Sequence, residues 1–257
     1  MNLKNKINIE LVLKKYDEKP IYIDFNIKKN KKNNFFNKYK IVGLDWQNNI
    51  KYFDYFYENV KDDLSIKINL PLYPNYLSIV IYTNDTINEY DVDYFIYESN
   101  DSYENLIINN DLKDFIKLAY DFCRSFTLLK TDEVYYSDNL KVGIFYIEKH
   151  HEYNSPMFIN CYNRLIYVQK RMIINLTVNE IINMLLHEYS HCFLNKNSNS
   201  EIESDYNAIN NYIKLNFSPY HSLKMINGVI KRNDTISNRV RRLLYKNLLF
   251  KKYKNKR

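Results

Sequence analysis

Five consecutive residues, His187-Glu188-Tyr189-Ser190-His191, set two histidines four positions apart with a glutamate beside the first. On an α-helix, residues four apart lie one above the other, so both imidazoles project from one face with Glu188 alongside. Two imidazoles at that spacing can grip one Zn²⁺, and the adjacent carboxylate can take a proton from a water that the ion has acidified. Five histidines in 257 residues make this spacing rare by chance. The competing reading is a surface helix with two incidental histidines, and the flanking signals weigh against it.

Those signals put the motif on a helix. Thr177 and Glu180 form a T-x-x-E capping box that supplies a start. Val178, Ile181, Ile182, Leu185, Tyr189 and Cys192 recur at three- and four-residue intervals, giving an apolar face with His187, Glu188 and His191 at its edge. The polar run Asn195 to Ser200 ends this helix, and Ser200 with Glu203 makes a second capping box for a helix beginning at Glu201. A catalytic zinc site needs a third protein ligand and an open position for water. Glu201 is the candidate, because a short turn folds the second helix back antiparallel and lands its first residue near His191. Asp205, four residues on, is placed to accept the free ring N–H of a ligating imidazole, His187 in this reading. Ala208 lets the two helices approach closely, and Glu203, occupied with capping, is the weaker ligand candidate.

The pair HEYSH…EIESD resembles the gluzincin arrangement of zinc metallopeptidases, His-Glu-x-x-His followed by Glu-x-x-x-Asp on the next helix. Thermolysin-like, membrane-embedded CAAX-type and ImmA-like peptidases share it. The resemblance covers roughly Thr177 to Leu215. It implies His187, His191 and Glu201 as ligands of one Zn²⁺, Glu188 as general base, and Asp205 as the partner of a ligating histidine. It also implies a protein or peptide substrate. This chain departs from the pattern in its short spacer to Glu201 and in having no downstream His or Tyr in a fixed motif. Tyr220 and His221, in the first turn of a later helix, are the candidates for stabilising the transition state, with capping or surface placement the preferred reading. The non-enzymatic alternative is a zinc-containing binding or virion structural protein, which a fourth protein ligand on the ion would favour.

Composition bounds the setting. Hydrophobic residues make up 46% and charged residues 26%, the balance of an ordered globular chain long enough for one large or two small domains. Twenty-six Tyr against three Gly, with abundant Asn, Lys and Ile, read as AT-rich coding and fit a phage or mobile-element origin, virion association included. The net charge of +7 is concentrated at Lys28–Lys32 and Lys251–Arg257. No nucleic-acid motif accompanies either run, so a solvated loop and tail are the preferred reading and no nucleic-acid partner is expected. Were the tail to bind nucleic acid, affinity would fall steeply with salt. Cys123, Cys161 and Cys192 are odd in number and widely spaced, which argues for a reducing interior without disulfides, Cys192 serving as a small core residue. No signal-peptide h-region and no apolar run near the ~18 residues of a membrane span are visible, so a cytoplasmic chain is expected.

The periodicities give an α+β chain. Residues 1–100 read as six or seven short antiparallel strands and are expected to form a β-sandwich accessory domain. Ile7, Ile9, Leu11 and Leu13 alternate with polar residues, as do Ile21, Ile23, Phe25 and Ile27. Further strands are expected at Lys51–Tyr57, Leu64–Asn69, Tyr76–Tyr82 and Val92–Tyr97, and Trp46 is read as core. Residues 101–257 are expected to form a zincin-like α+β domain with C-terminal helices. It starts with a helix over Asn110–Leu129, followed by strands at Lys141–Glu148, Met157–Tyr162, Arg164–Gln169 and Met172–Asn175. The Tyr162–Gln169 region is the expected edge strand, to which an extended substrate could add. His150-His151 read as an exposed loop pair. Ser218-Pro219 opens a helix to about Ile230. A last helix over Ile236–Phe250 should bury Ile236, Val240, Leu243, Leu244 and Leu248, leaving Arg239, Arg241, Arg242 and Lys246 wet or paired.

Overall fold

The structure, a computed structural model, describes residues 5–13, 19–29, 37–45, 50–61, 63–84, 90–99, 109–149, 155–197, 199–229 and 241–247. Trp46, the His150-His151 pair, the Lys251–Arg257 tail, Ile236, Val240, Leu248 and the expected domain junction after Ser99 lie outside these residues. The chain is of mixed α+β class, with mainly antiparallel sheets. It divides into two compact units, Met1–Ile108 and Asn109–Arg257.

The first unit holds seven strands: β1 (Asn5–Val12), β2 (Ile21–Lys29), β3 (Asn37–Asp45), β4 (Ile50–Val60), β5 (Leu64–Leu70), β6 (Tyr76–Thr83) and β7 (Tyr90–Glu98). They form a four-stranded sheet in the order β1-β6-β3-β4 and a three-stranded sheet in the order β5-β2-β7, antiparallel throughout. The period-two pattern is realised in β2, where Ile21, Ile23, Phe25 and Ile27 are buried and the residues between them face outward. On that outer face Lys28 pairs with Asp93 at 2.7 Å, a local use for one charge of the first basic run. Strand β3 has no counterpart among the expected strands. It runs between β6 and β4; Val42 is buried out of step with its alternation, and at Gly43 a Cβ would run into the Phe53 ring.

The second unit begins with α1 (Asn110–Ser125), capped by Asn109, whose side chain accepts from the Asp111 backbone N–H at 2.9 Å. A four-stranded sheet follows, made of β8 (Glu133–Ser137), β9 (Val142–Ile147), β10 (Met157–Asn160) and β11 (Leu165–Gln169) in the order β10-β11-β9-β8. The β9–β11 pair is parallel and the other two are antiparallel. Two expectations are corrected here. The expected edge strand, β11, is held between β10 and β9, and the edges are β10 and β8. The segment expected as a strand at Met172–Asn175 instead starts within one helical turn, α2 (Lys170–Ile173).

Helix α3 (Val178–Phe193) packs on α1, β10, β11, α4 (Glu201–Lys214) and α5 (Pro219–Val229). Its apolar stripe is buried as far as Tyr189. Val178, Ile181, Ile182, Leu185, Leu186 and Tyr189 are buried, and the Tyr189 ring stacks on Phe115 of α1 at 4.0 Å. Helix α4 ends where Asn216 takes the left-handed conformation and Asn216 and Phe217 donate back to Ile213 and Tyr212. The last described segment, 241–247, is helical (α6). Its buried face differs from the expected one: Leu243 and Leu244 are 61% and 42% exposed, and Tyr245 is buried instead. Among the described residues no helix is long and apolar enough to cross a membrane.

The cysteines are also corrected. Cys161, in the turn between β10 and β11, forms a disulfide with Cys192 near the end of α3, their Cα atoms 5.4 Å apart. Cys192 is therefore a half-buried cross-link and not a core residue, and the cysteine count no longer argues for a reducing setting. Cys123 is buried and free, and burial pushes its thiol well up.

Candidate metal centre

Two helices and the loop between them build the site. Thr177 starts α3 through the expected capping box, its backbone and hydroxyl both donating to Glu180 at 2.8 Å. The loop after α3 is held by side-chain amides. Asn195 donates to Ser204 Oγ at 2.6 Å, and Asn207 donates to the Leu194 carbonyl at 3.2 Å and to Asn195 at 2.9 Å. Ser200 caps α4 by accepting from the Glu203 N–H, but the reciprocal half of the expected box is absent. The Glu203 carboxylate instead accepts from Lys196 N–H at 2.9 Å and Asn197 N–H at 3.2 Å, which holds its pKa below the usual range. Glu203 thus shapes the loop, and Glu201 is left to face α3.

Contacts between the helices run in opposite sequence directions, His191 against Glu201 and His187 against Asp205, with Tyr212 OH donating to the Asn179 carbonyl further along. This is the antiparallel return that the short spacer required. His187 Nε2 and His191 Nε2 stand 3.2 Å apart, and Glu201 places Oε2 3.4 Å from the first and Oε1 3.5 Å from the second. Donors about 2.0–2.1 Å from one tetrahedral ion are about 3.3 Å from each other. The histidine–histidine separation fits that figure, each histidine has one Glu201 oxygen at a similar distance, and the imidazole–imidazole–carboxylate donor set suits zinc. Among the described residues the group of candidate ligands has these three members, which could hold a metal ion.

The surrounding groups orient the three. Asp205 is buried, and its Oδ1 accepts from His187 Nδ1 at 2.9 Å, so His187 presents Nε2 to Glu201 and His191. Burial alone would lower the His187 pKa, but the Asp205 and Glu201 carboxylates outweigh it and raise it to about 10. The His187 hydrogen bond lowers Glu201 to about 2 against the opposing effect of burial, with the charges of His187, Arg241 and His191 adding to the fall. Burial works to raise Asp205, but the hydrogen bonds from Arg241 and His187 prevail and lower it. Glu188, half-buried beside the cluster, is pushed up by burial. The charges of His187 and His191 and a hydrogen bond from the Ile159 N–H of β10 oppose that rise.

The structure brings His187, Glu188, His191, Glu201 and Asp205 together and leaves His221 out of the ligand group. His221 is fully buried in α5, its ring edge-on to the half-buried Tyr220 ring at 5.5 Å, which corrects the preferred capping or surface placement. The residue that sequence reasoning missed is Arg241. Its Nε and Nη2 donate to the two oxygens of Asp205 at 2.6 and 2.9 Å, and Nη2 also lies 2.9 Å from Glu201 Oε2. No local signal could have found it, because its partner Asp205 lies 36 positions away. No family model, curated protein or solved structure matches this chain.

Proposed function

We propose that the chain is a zinc-dependent metallopeptidase, with a zincin-like second unit and a first unit whose two sheets form an accessory β-sandwich. The observation that carries the reading is the His187–His191–Glu201 cluster, with the two ring nitrogens 3.2 Å apart and a Glu201 oxygen 3.4–3.5 Å from each, and the Glu188 carboxylate beside it. Bound zinc would supply Lewis acidity, lowering the pKa of a water towards ~7 and polarising the scissile carbonyl. His187, His191 and Glu201 hold the ion, and Asp205 fixes the ring of His187. Glu188 takes the proton of the attacking water and then delivers it to the leaving nitrogen. Its burial supports this role, because a raised carboxyl pKa lies nearer the pH at which the proton must move both ways. A ligand group of three, among the described residues, supports an open position over a closed structural site.

The β10 edge supports an extended peptide as substrate. Gln169 N–H donates to the Pro156 carbonyl, so hydrogen-bonded pairing with β11 recurs at Phe158, and Met157 and Ile159 direct backbone groups away from β11. Ile159 spends its N–H on Glu188, which sets the outer edge of β10 alongside the base. A substrate adding there as a strand would pass the catalytic groups. The first test is elemental analysis of the purified chain with a casein digestion assay. One zinc per chain, loss of both metal and cleavage in His191→Ala, and recovery on adding zinc to the chelated parent are expected. A parent chain that holds no zinc contradicts the reading.

A further inference from the structure

Glu201 and Asp205 are two carboxylates one helical turn apart on α4, at a spacing where like charges repel. Arg241 joins them. Its guanidinium takes both oxygens of Asp205 and one oxygen of Glu201, Oε2, while Asp205 Oδ1 also receives His187 Nδ1. The fork is largely shielded, with the Arg241 side chain 13% exposed and that of Asp205 7% exposed. A small cavity of about 100 Å³ lies against it, walled by Ile202, Tyr206 and Ile209 of α4 and by Leu244 and Tyr245 of α6. In such surroundings charged hydrogen bonds are strong and directional. The Glu201 side chain is half exposed, so without the fork its carboxylate would be able to rotate.

A glutamate can bind a cation through one oxygen or through both. Both Glu201 oxygens face the histidines, Oε2 3.4 Å from His187 Nε2 and Oε1 3.5 Å from His191 Nε2, but Oε2 is also held by Arg241, which leaves Oε1 as the oxygen outside the fork. We propose that Arg241 is a positioning residue which confines Glu201 to one-oxygen ligation of the ion and so keeps a coordination position open for water. The inference rests on the metallopeptidase reading and adds to it the group that fixes the ligand count. Arginine suits the task because one planar fork spans both carboxylates, whereas a lysine ammonium is a point donor.

Cobalt(II) substituted for zinc reports ligand number, since four-coordinate cobalt absorbs visible light several-fold more strongly than five-coordinate cobalt. The full chain loaded with cobalt(II) is compared with Arg241→Met and Arg241→Lys, with circular dichroism and thermal midpoint recorded for each. The parent is expected to give intense four-coordinate bands. Arg241→Met should give bands several-fold weaker as both Glu201 oxygens turn to the ion, and Arg241→Lys, which keeps the charge but not the fork, should weaken them too. Unchanged bands in the folded variants, with only a lower thermal midpoint, would mean that Arg241 merely holds α6 and would overturn the proposal. If Arg241→Met does not fold, Arg241→Lys decides alone. A parent chain that binds no cobalt, or a His191→Ala chain that binds it as tightly, sinks the metallopeptidase reading and not the role of Arg241 specifically.

Discussion

At the scale of single residues, the site is a closed chain of charged hydrogen bonds in which each group fixes the next. Asp205 settles which His187 nitrogen faces the cluster, and Arg241 settles how Asp205 and Glu201 are turned. Asp205→Asn tests the first link. The amide keeps the shape but can accept through only one oxygen, so His187 and Arg241 compete for it. Zinc affinity, read by competition with a chromophoric chelator, should fall about 10–100-fold, as it does when such supporting carboxylates are removed elsewhere. An affinity equal to the parent's would mean that Asp205 does not orient the ligand. The five residues of this cluster other than Arg241 were legible in the sequence because helix periodicity converts a spacing of four into a shared face. Arg241 was not, because its partner lies 36 positions away and no local pattern encodes that return.

At the scale of elements, the disulfide between the β10–β11 turn and the end of α3 brackets the site. Cys192 directly follows His191, and Cys161 lies two residues after Ile159, whose N–H holds Glu188. The cross-link therefore couples the edge strand to the helix that carries the motif. Replacing both cysteines by serine frees a link of sequence separation 31, and the chain-entropy argument gives a loss of about 3–4 kcal/mol. Thermal unfolding of the double variant checks this, and an unchanged midpoint would show that packing alone holds the hairpin. Nothing local in the sequence encodes the pairing, since two cysteines meet only when the hairpin and helix are packed. Strand β8 escaped notice for a related reason. It lies at a sheet edge with Val134 and Tyr136 exposed, so it lacks the alternation that marks a half-buried strand. In α6 the Leu243–Leu244 pair suggested one buried face, and the packing of Tyr245 and Arg241 selected another.

At the scale of the whole molecule, every group assigned to metal and proton lies in the unit Asn109–Arg257. A fragment of residues 109–257 should consequently bind one zinc with the affinity of the full chain, measured by the same chelator competition. A tenfold or larger loss would mean that the first unit contributes to the site. The most direct measurement of the central claim is peptide-bond cleavage by the zinc-loaded parent beside zinc-loaded Glu188→Gln. The substitution preserves size and leaves His187, His191 and Glu201 untouched, but removes the group that accepts the proton. One zinc is expected in each protein, with a loss of turnover on the order of 10²–10⁴-fold in the variant. Equal turnover by the two proteins would contradict the assignment of Glu188 as the base.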